Sequence, residues 1–247
     1  MREVGENFKF ICDICKKEGF RKRGKKFYRV YGDGVLQILQ YSKRSDPFFQ
    51  EVVDIGLYSL YGEMPQRGLD GCYGMYNSRF LSKPQFEFIE NNQNKSSLQM
   101  EDLENILVFH FYKQEFLEYT IPFLNRIHTQ ADLLDALQEL YYRNCNQKPT
   151  DEESMRLWTD AIQYAPFLYE RRYVEAKKVM ETLLDLLIRD GSKNSDEEKK
   201  FKAMIALAEE AEPESIKAYL IDHFVQNSSL FPTRTKTHRT QADGSLC

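Results

Sequence analysis

Hydrophobic and polar positions divide this chain into two stretches of different period. Between Lys25 and Leu60 apolar residues alternate or cluster in short β-branched and aromatic blocks, the pattern of strands. Beyond the polar run Asn91-Asn92-Gln93-Asn94-Lys95-Ser96-Ser97, apolar residues recur every three or four positions, the pattern of helices that each bury one face. Lys25 to Tyr31 and Val35 to Tyr41 flank Gly32-Asp33-Gly34, whose Asp-Gly step supplies the positive φ that tight hairpin turns need. A three-residue turn sets Tyr28 opposite Ile38 and Val30 opposite Leu36 on one face. Phe27, Arg29, Tyr31, Gln37, Leu39 and Tyr41 then share the other face, whereas a two-residue turn would shift these partners by one. Val52 to Leu60 reads as a third strand. Met75 to Leu81 and Phe86 to Ile89 read as two more, after a glycine-rich loop.

The helical signals are equally local. Phe8, Ile11, Ile14 and Cys15 give Asn7 to Lys17 a helical spacing, and Gly19 stands where a left-handed C-cap is usual. Glu101 to Tyr119 follows the polar run, and Pro122 is expected to separate it from Ala131 to Tyr142, which Thr129 and Asp132 open as a near capping box. Thr150 with Glu153 opens a helix through Tyr164 that Pro166 is expected to stop. Tyr169 to Asp190 follows and ends at Gly191. Ser195 with Glu198 begins the next, and Pro213 occupies the first turn of the last, Glu214 to Gln226. After Ser228 the residues show neither period nor apolar anchors, so disorder is expected there.

These elements predict an α+β protein with a mainly antiparallel sheet in residues 1–95. The first helix and five or six helices of residues 96–227 pack on it in one compact domain, and residues 228–247 form a tail. With 247 residues, 42% of them hydrophobic, the chain can bury a sizeable core. Its apolar runs are too short to span a membrane and Met1-Arg2-Glu3 opens on charge, so a cytoplasmic location is the expectation. Five dispersed cysteines, an odd number, do not read as a disulfide framework. The net charge of −4 hides a gradient. Met1 to Ser45 holds twelve Lys and Arg against five Asp and Glu, while Thr150 to Asn227 holds eleven against seventeen.

Chemistry-bearing residues are scattered. Cys12 and Cys15 have the spacing of metal and redox pairs, yet they sit inside an amphipathic helix with no further ligands in sequence, so packing is the simpler reading and neither a metal nor a cofactor is expected. Cys72, in a glycine-flanked loop, is the more accessible thiol. His110 lacks the second imidazole of a His-Glu-x-x-His site, and no phosphate-cradling glycine motif is present. Lys16, Lys17, Arg21, Lys22, Arg23, Lys25, Lys26 and Arg29 interleave with Phe20, Phe27, Tyr28 and Tyr31. That combination is what a single-stranded nucleic-acid surface uses, and equally what a charged edge strand needs to avoid aggregation.

Gly19-Phe20, the basic segment after it, Phe27-Tyr28-Arg29, the Gly-Asp-Gly turn, Val35 to Gln40 and Val53-Asp54-Ile55-Gly56-Leu57 resemble the bacterial domain-of-unknown-function family 4304. Arg79, in Tyr76-Asn77-Ser78-Arg79-Phe80, corresponds to a later arginine of that pattern, and the resemblance covers Phe8 to Leu81 in detail. The family has no assigned activity to carry over; the resemblance implies a defence- or toxin-immunity-associated role only by family type.

The expected function is non-catalytic binding of a protein partner through an exposed sheet face bearing Arg29, Gln37, Tyr41, Asp54 and Tyr58, with Arg79 beside it, because tyrosine and arginine make binding hot spots. The alternative is that the helices cover this face. A rival reading is an enzyme of unrecognised, hydrolytic type whose Arg79, Cys72 and His110 meet only in space, and a second is single-stranded nucleic-acid binding by the basic hairpin. No membrane partner is expected, and the oligomeric state is not legible.

Overall fold

The computed structural model describes residues 5–43, 51–62, 72, 76–77, 113–145, 164–189 and 196–231. Helix α1 (Glu6–Lys17) ends as its sequence predicts: Gly19 takes φ +79°, and the Phe20 N–H donates to the Cys15 carbonyl at 2.8 Å. The chain then enters an antiparallel meander, β1 (Arg21–Arg23), β2 (Lys26–Val30), β3 (Val35–Lys43), β4 (Glu51–Ser59) and β5 (Tyr76–Asn77), in that spatial order. β1 lies where the sequence shows only a basic run. Arg-Lys-Arg has no apolar alternation to mark a strand, but Gly24 at φ +62° lets a two-residue turn fold it back on β2.

The β2–β3 turn uses the three-residue form. Tyr28 pairs with Ile38 and Val30 with Leu36, and the Tyr31 N–H donates to the Val35 carbonyl at 3.0 Å. Gly34 must be glycine twice over: its φ is +72°, and a Cβ there would stand 2.7 Å from the Tyr61 ring. On one side of the sheet, Phe27, Val35, Leu39, Val53, Ile55 and Leu57 pack with Ile11 and Cys15 of α1 and with apolar residues of the later helices. We call this the inner face. Each large side chain so buried contributes roughly 1.5–3 kcal/mol. The outer face carries a smaller cluster of Leu36, Ile38, Leu60, Cys72 and Phe231, flanked by half-buried Tyr28, Val30 and Tyr58.

The helices begin with α2 (Lys113–Glu115, a π-helical Phe116–Thr120, and Ile121–Asn125), then α3 (Gln130–Cys145), α4 (Tyr164–Tyr169), α5 (Tyr173–Arg189), α6 (Asp196–Glu210) and α7 (Pro213–Leu230). Pro122 does not break α2. A proline ring clashes with the carbonyl four residues back, and the chain widens into a π turn, closed by the Ile121 N–H donating to the Phe116 carbonyl. Pro166 likewise lies inside α4, and the chain breaks later, at Arg171. There φ is +58° and the Arg172 N–H donates to the Phe167 carbonyl at 2.8 Å, so the expected helix Tyr169 to Asp190 starts at Tyr173 instead.

Lys177 near the start of α5 pairs with Glu209 near the end of α6 at 2.6 Å, so these two helices run antiparallel. Thr129 and Asp132 form the expected capping box: the Asp132 N–H donates to Thr129 Oγ1 at 3.1 Å and the Thr129 N–H to Asp132 Oδ2 at 2.9 Å. Pro213 does occupy the first turn of α7.

Residues 228–231, expected to belong to a tail, are part of the folded structure. α7 runs to Leu230, buried Asn227 donates to the Leu60 and Gly62 carbonyls at 2.8 and 2.7 Å, and Phe231, 2% exposed, packs over the outer face. Residues 232–247, the expected strand 86–89 and the expected helical stretches 101–112 and 150–163 lie outside the described residues. Among the described residues no helix is long and apolar enough to cross a membrane.

Candidate functional site

The sheet face expected to be exposed is covered. Gln37 is 0% exposed, Arg29 9% and Tyr41 5%, because α1, α2 and α3 lie across the inner face on which all three project. The register of β4 separates the other two residues from them. Asp54 pairs with Gln40 and Tyr58 with Leu36, which puts both on the outer face, Asp54 buried and Tyr58 half-buried. Strand side chains alternate, and the sequence between β3 and β4 holds no Asn-Gly or Asp-Gly step that would set the register of β4 in advance. Arg79 and His110 lie outside the described residues.

What the inner face builds is a buried polar junction. Arg29 Nε donates to Gln37 Oε1 at 2.8 Å, Nη1 to the Glu18 carbonyl at 2.9 Å and Nη2 to Asn125 Oδ1 at 2.7 Å. Gln37 Nε2 donates to the Leu124 and Ile127 carbonyls at 2.9 and 2.7 Å, at the end of α2. The Glu18 carboxylate is reached through Asn125, whose Nδ2 donates to Glu18 Oε2 at 2.9 Å. The guanidinium also stacks 4.3 Å from the Phe20 ring centroid. Burial pulls the Arg29 pKa below its ordinary value, opposed by the nearby Tyr31 and Glu18 charges. This junction joins β2, β3, α1 and α2, and its donors are turned inward, away from any partner.

The thiols are placed for packing. Cys15 is fully buried and burial pushes its pKa up to about 12; Cys12 accepts from Lys22 Nζ at 3.3 Å. Cys72, expected to be accessible, is 0% exposed in the outer cluster, and burial raises it to about 12 as well. The Lys26 ammonium donates to its carbonyl at 2.5 Å. A neutral, enclosed thiol is a poor nucleophile, so the catalytic reading of Cys72 loses its reactive group. Among the described residues no three His, Cys, Asp or Glu side chains gather as a metal site would require.

The aromatic rings of the basic hairpin are also engaged inside the protein. Phe20 and Phe27 are buried, the Tyr31 ring lies 4.4 Å from that of His128, and the Tyr28 ring lies 6.0 Å from Phe231. The cations have a different fate. Lys22, Arg23 and Lys25 are exposed along edge strand β1 and its turn. Beside them β3 runs three residues past its last β2 partner, Gln40, and among the described residues Ser42 and Lys43 at its end pair with β4 alone. The resulting notch is a depression of about 290 Å³ lined by Arg23, Lys25, Lys26 and Lys43, with residues 40–42 of β3 completing the lining. No carboxylate lines it among the described residues; Glu51 pairs with Lys43, on its rim, at 3.7 Å. The sequence shows this run of charge plainly, but only the fold shows that it lies on an edge and surrounds a hollow.

No protein-family model, curated protein or solved structure matches this chain.

Proposed function

We propose that this protein is a non-catalytic binding protein that holds an acidic segment of a protein partner against the basic edge of its sheet. The observation that carries this reading is the exposed cationic strip Lys22, Arg23 and Lys25 on edge strand β1, continuous with the notch at Lys43. A strip of one sign draws an oppositely charged segment by Coulomb attraction and fixes its register. Among the described residues β1 is the edge strand of the sheet, and the main chain of an edge strand offers a second, directional mode of capture. Nucleic-acid binding fits less well, because base stacking needs ring faces and the hairpin's rings are occupied by Arg29, His128 and Phe231. The resemblance to domain-of-unknown-function family 4304 adds a grouping and no activity.

Fluorescence anisotropy with a short oligoglutamate peptide and an oligothymidylate of equal charge tests the reading. The peptide should bind, weaken as salt rises, and lose affinity in the Lys22→Glu/Arg23→Glu variant while its unfolding midpoint holds. Absence of peptide binding, or tighter binding of the oligothymidylate, overturns it.

A further inference from the structure

The basic edge leaves a second concave surface of the molecule without a role. α6 and α7, joined through Ala211 at φ +49° and Glu212, border a groove of about 450 Å³. Lys200, Ala203 and Met204 line it from α6, and Tyr219, His223, Gln226 and Asn227 line it from α7. The volume falls within the roughly 300–1,000 Å³ of small-molecule sites. Spacings of three and four residues place the α7 set on one side of that helix.

The polar side chains of α7 share one chemical bias. His223 Nδ1 stands 3.0 Å from the Tyr219 carbonyl oxygen, which can only accept, so Nδ1 carries the proton and the neutral ring keeps a lone pair on Nε2. Asn227, 7% exposed, spends both Nδ2 hydrogens on the Leu60 and Gly62 carbonyls, and Gln226 Nε2 donates to Asp222 Oδ2 at 2.7 Å. Their donors are engaged within the protein. His223 Nε2, Asn227 Oδ1 and Gln226 Oε1 take no donor among the described residues, so the groove asks its ligand for N–H groups.

The remaining lining favours a flat ring. The Tyr219 ring lies 4.2 Å from that of His223, and Met204 brings a polarizable thioether that suits contact with aromatic rings. An amino group on such a ring carries two N–H donors, and His223 and Asn227, four residues apart, are neighbours on the helix surface that it can address together. We infer that the groove between α6 and α7 binds a free small molecule built on an amino-bearing heteroaromatic ring, with His223 Nε2 as an acceptor of its amino group. The inference stands apart from the protein-binding reading, which the sheet edge carries.

Titration calorimetry on the full-length protein with adenine, purine, methylammonium and a short oligoadenylate tests it. Adenine should bind about tenfold more tightly than purine, which lacks only the amino group, the worth of about one hydrogen bond. His223→Phe keeps a ring and removes Nε2, so this advantage should vanish while the melting temperature holds. Ala203→Trp, at an exposed position, fills the groove from α6 and should abolish binding of both bases in a folded protein. Failure of adenine to bind, equal affinity for adenine and purine, an advantage that survives His223→Phe, or binding that survives Ala203→Trp overturns the inference. Methylammonium binding as tightly as adenine also overturns it, by showing a cation site, and so does tighter binding of the oligoadenylate, by showing a nucleic-acid site.

Discussion

Arg29 and Lys25 lie four positions apart in one basic hairpin, yet the fold assigns them opposite tasks. Arg29 is nearly buried, with its three donor nitrogens committed to Gln37, Glu18 and Asn125. Lys25 is exposed at the mouth of a hollow. The inner-face cation holds elements together and the edge cation remains available to a ligand. Residue type alone does not separate a binding hot spot from a structural fastener; what covers the side chain does.

The largest expected effect tests the covered half of this contrast. Phe231→Ala should cost about 3–5 kcal/mol, because a fully buried ring leaves a cavity over the outer face. Denaturant unfolding measures it. A loss below about 1 kcal/mol would mean that the end of α7 is not docked.

Arg29→Ala comes next. It strips the donors from Gln37 Oε1, the Glu18 carbonyl and Asn125 Oδ1, and each buried group left unsatisfied costs about 1–3 kcal/mol, so a loss near 3 kcal/mol is expected. Arg29→Lys should recover only part of it, since one ammonium cannot reproduce the fork. A native midpoint for Arg29→Ala, paired with weakened peptide capture, would reverse the roles assigned to the inner face and the edge.

A smaller effect belongs to the capping box of α3. Asp132→Ala should cost about 1 kcal/mol. Burial raises the Asp132 pKa, but the His128 and Thr129 N–H groups and the Thr129 hydroxyl outweigh it and hold the carboxyl below its ordinary value. The contribution is therefore complete above the unfolded value of about 3.9 and is lost as pH falls through the folded one. Acid unfolding of native and variant proteins should converge at low pH; a constant gap would show that the cap does not act through ionisation.

The smallest effect on stability is expected at the edge, where Lys22→Glu/Arg23→Glu should shift it by no more than about 0.5 kcal/mol while removing most peptide binding. A large destabilisation would show that these exposed cations are themselves fasteners.

Several features were written locally in the sequence. Gly32-Asp33-Gly34 determined the hairpin and, through its three-residue form, which residues share a face with Arg29. Gly19, Pro213 and the Thr129 to Asp132 box marked helix ends because capping depends on backbone conformation within a few residues. The α+β class followed from the change of period after the first three strands.

Tertiary structure decided the rest. β4 took its register from pairing with β3 rather than from an Asn-Gly or Asp-Gly step in the sequence before it, which sent Asp54 and Tyr58 to the face opposite Arg29 and Gln37. Pro122 stayed inside a helix because a π turn relieved the clash its ring creates. Gln37 and Arg29 became a junction only because α1 and α2 lie across them, and Phe231 and Cys72 became core only by meeting the outer face. Turn and cap signals are short-range and survive in the chain read alone, whereas burial is set by neighbours that are distant in sequence and adjacent only after folding.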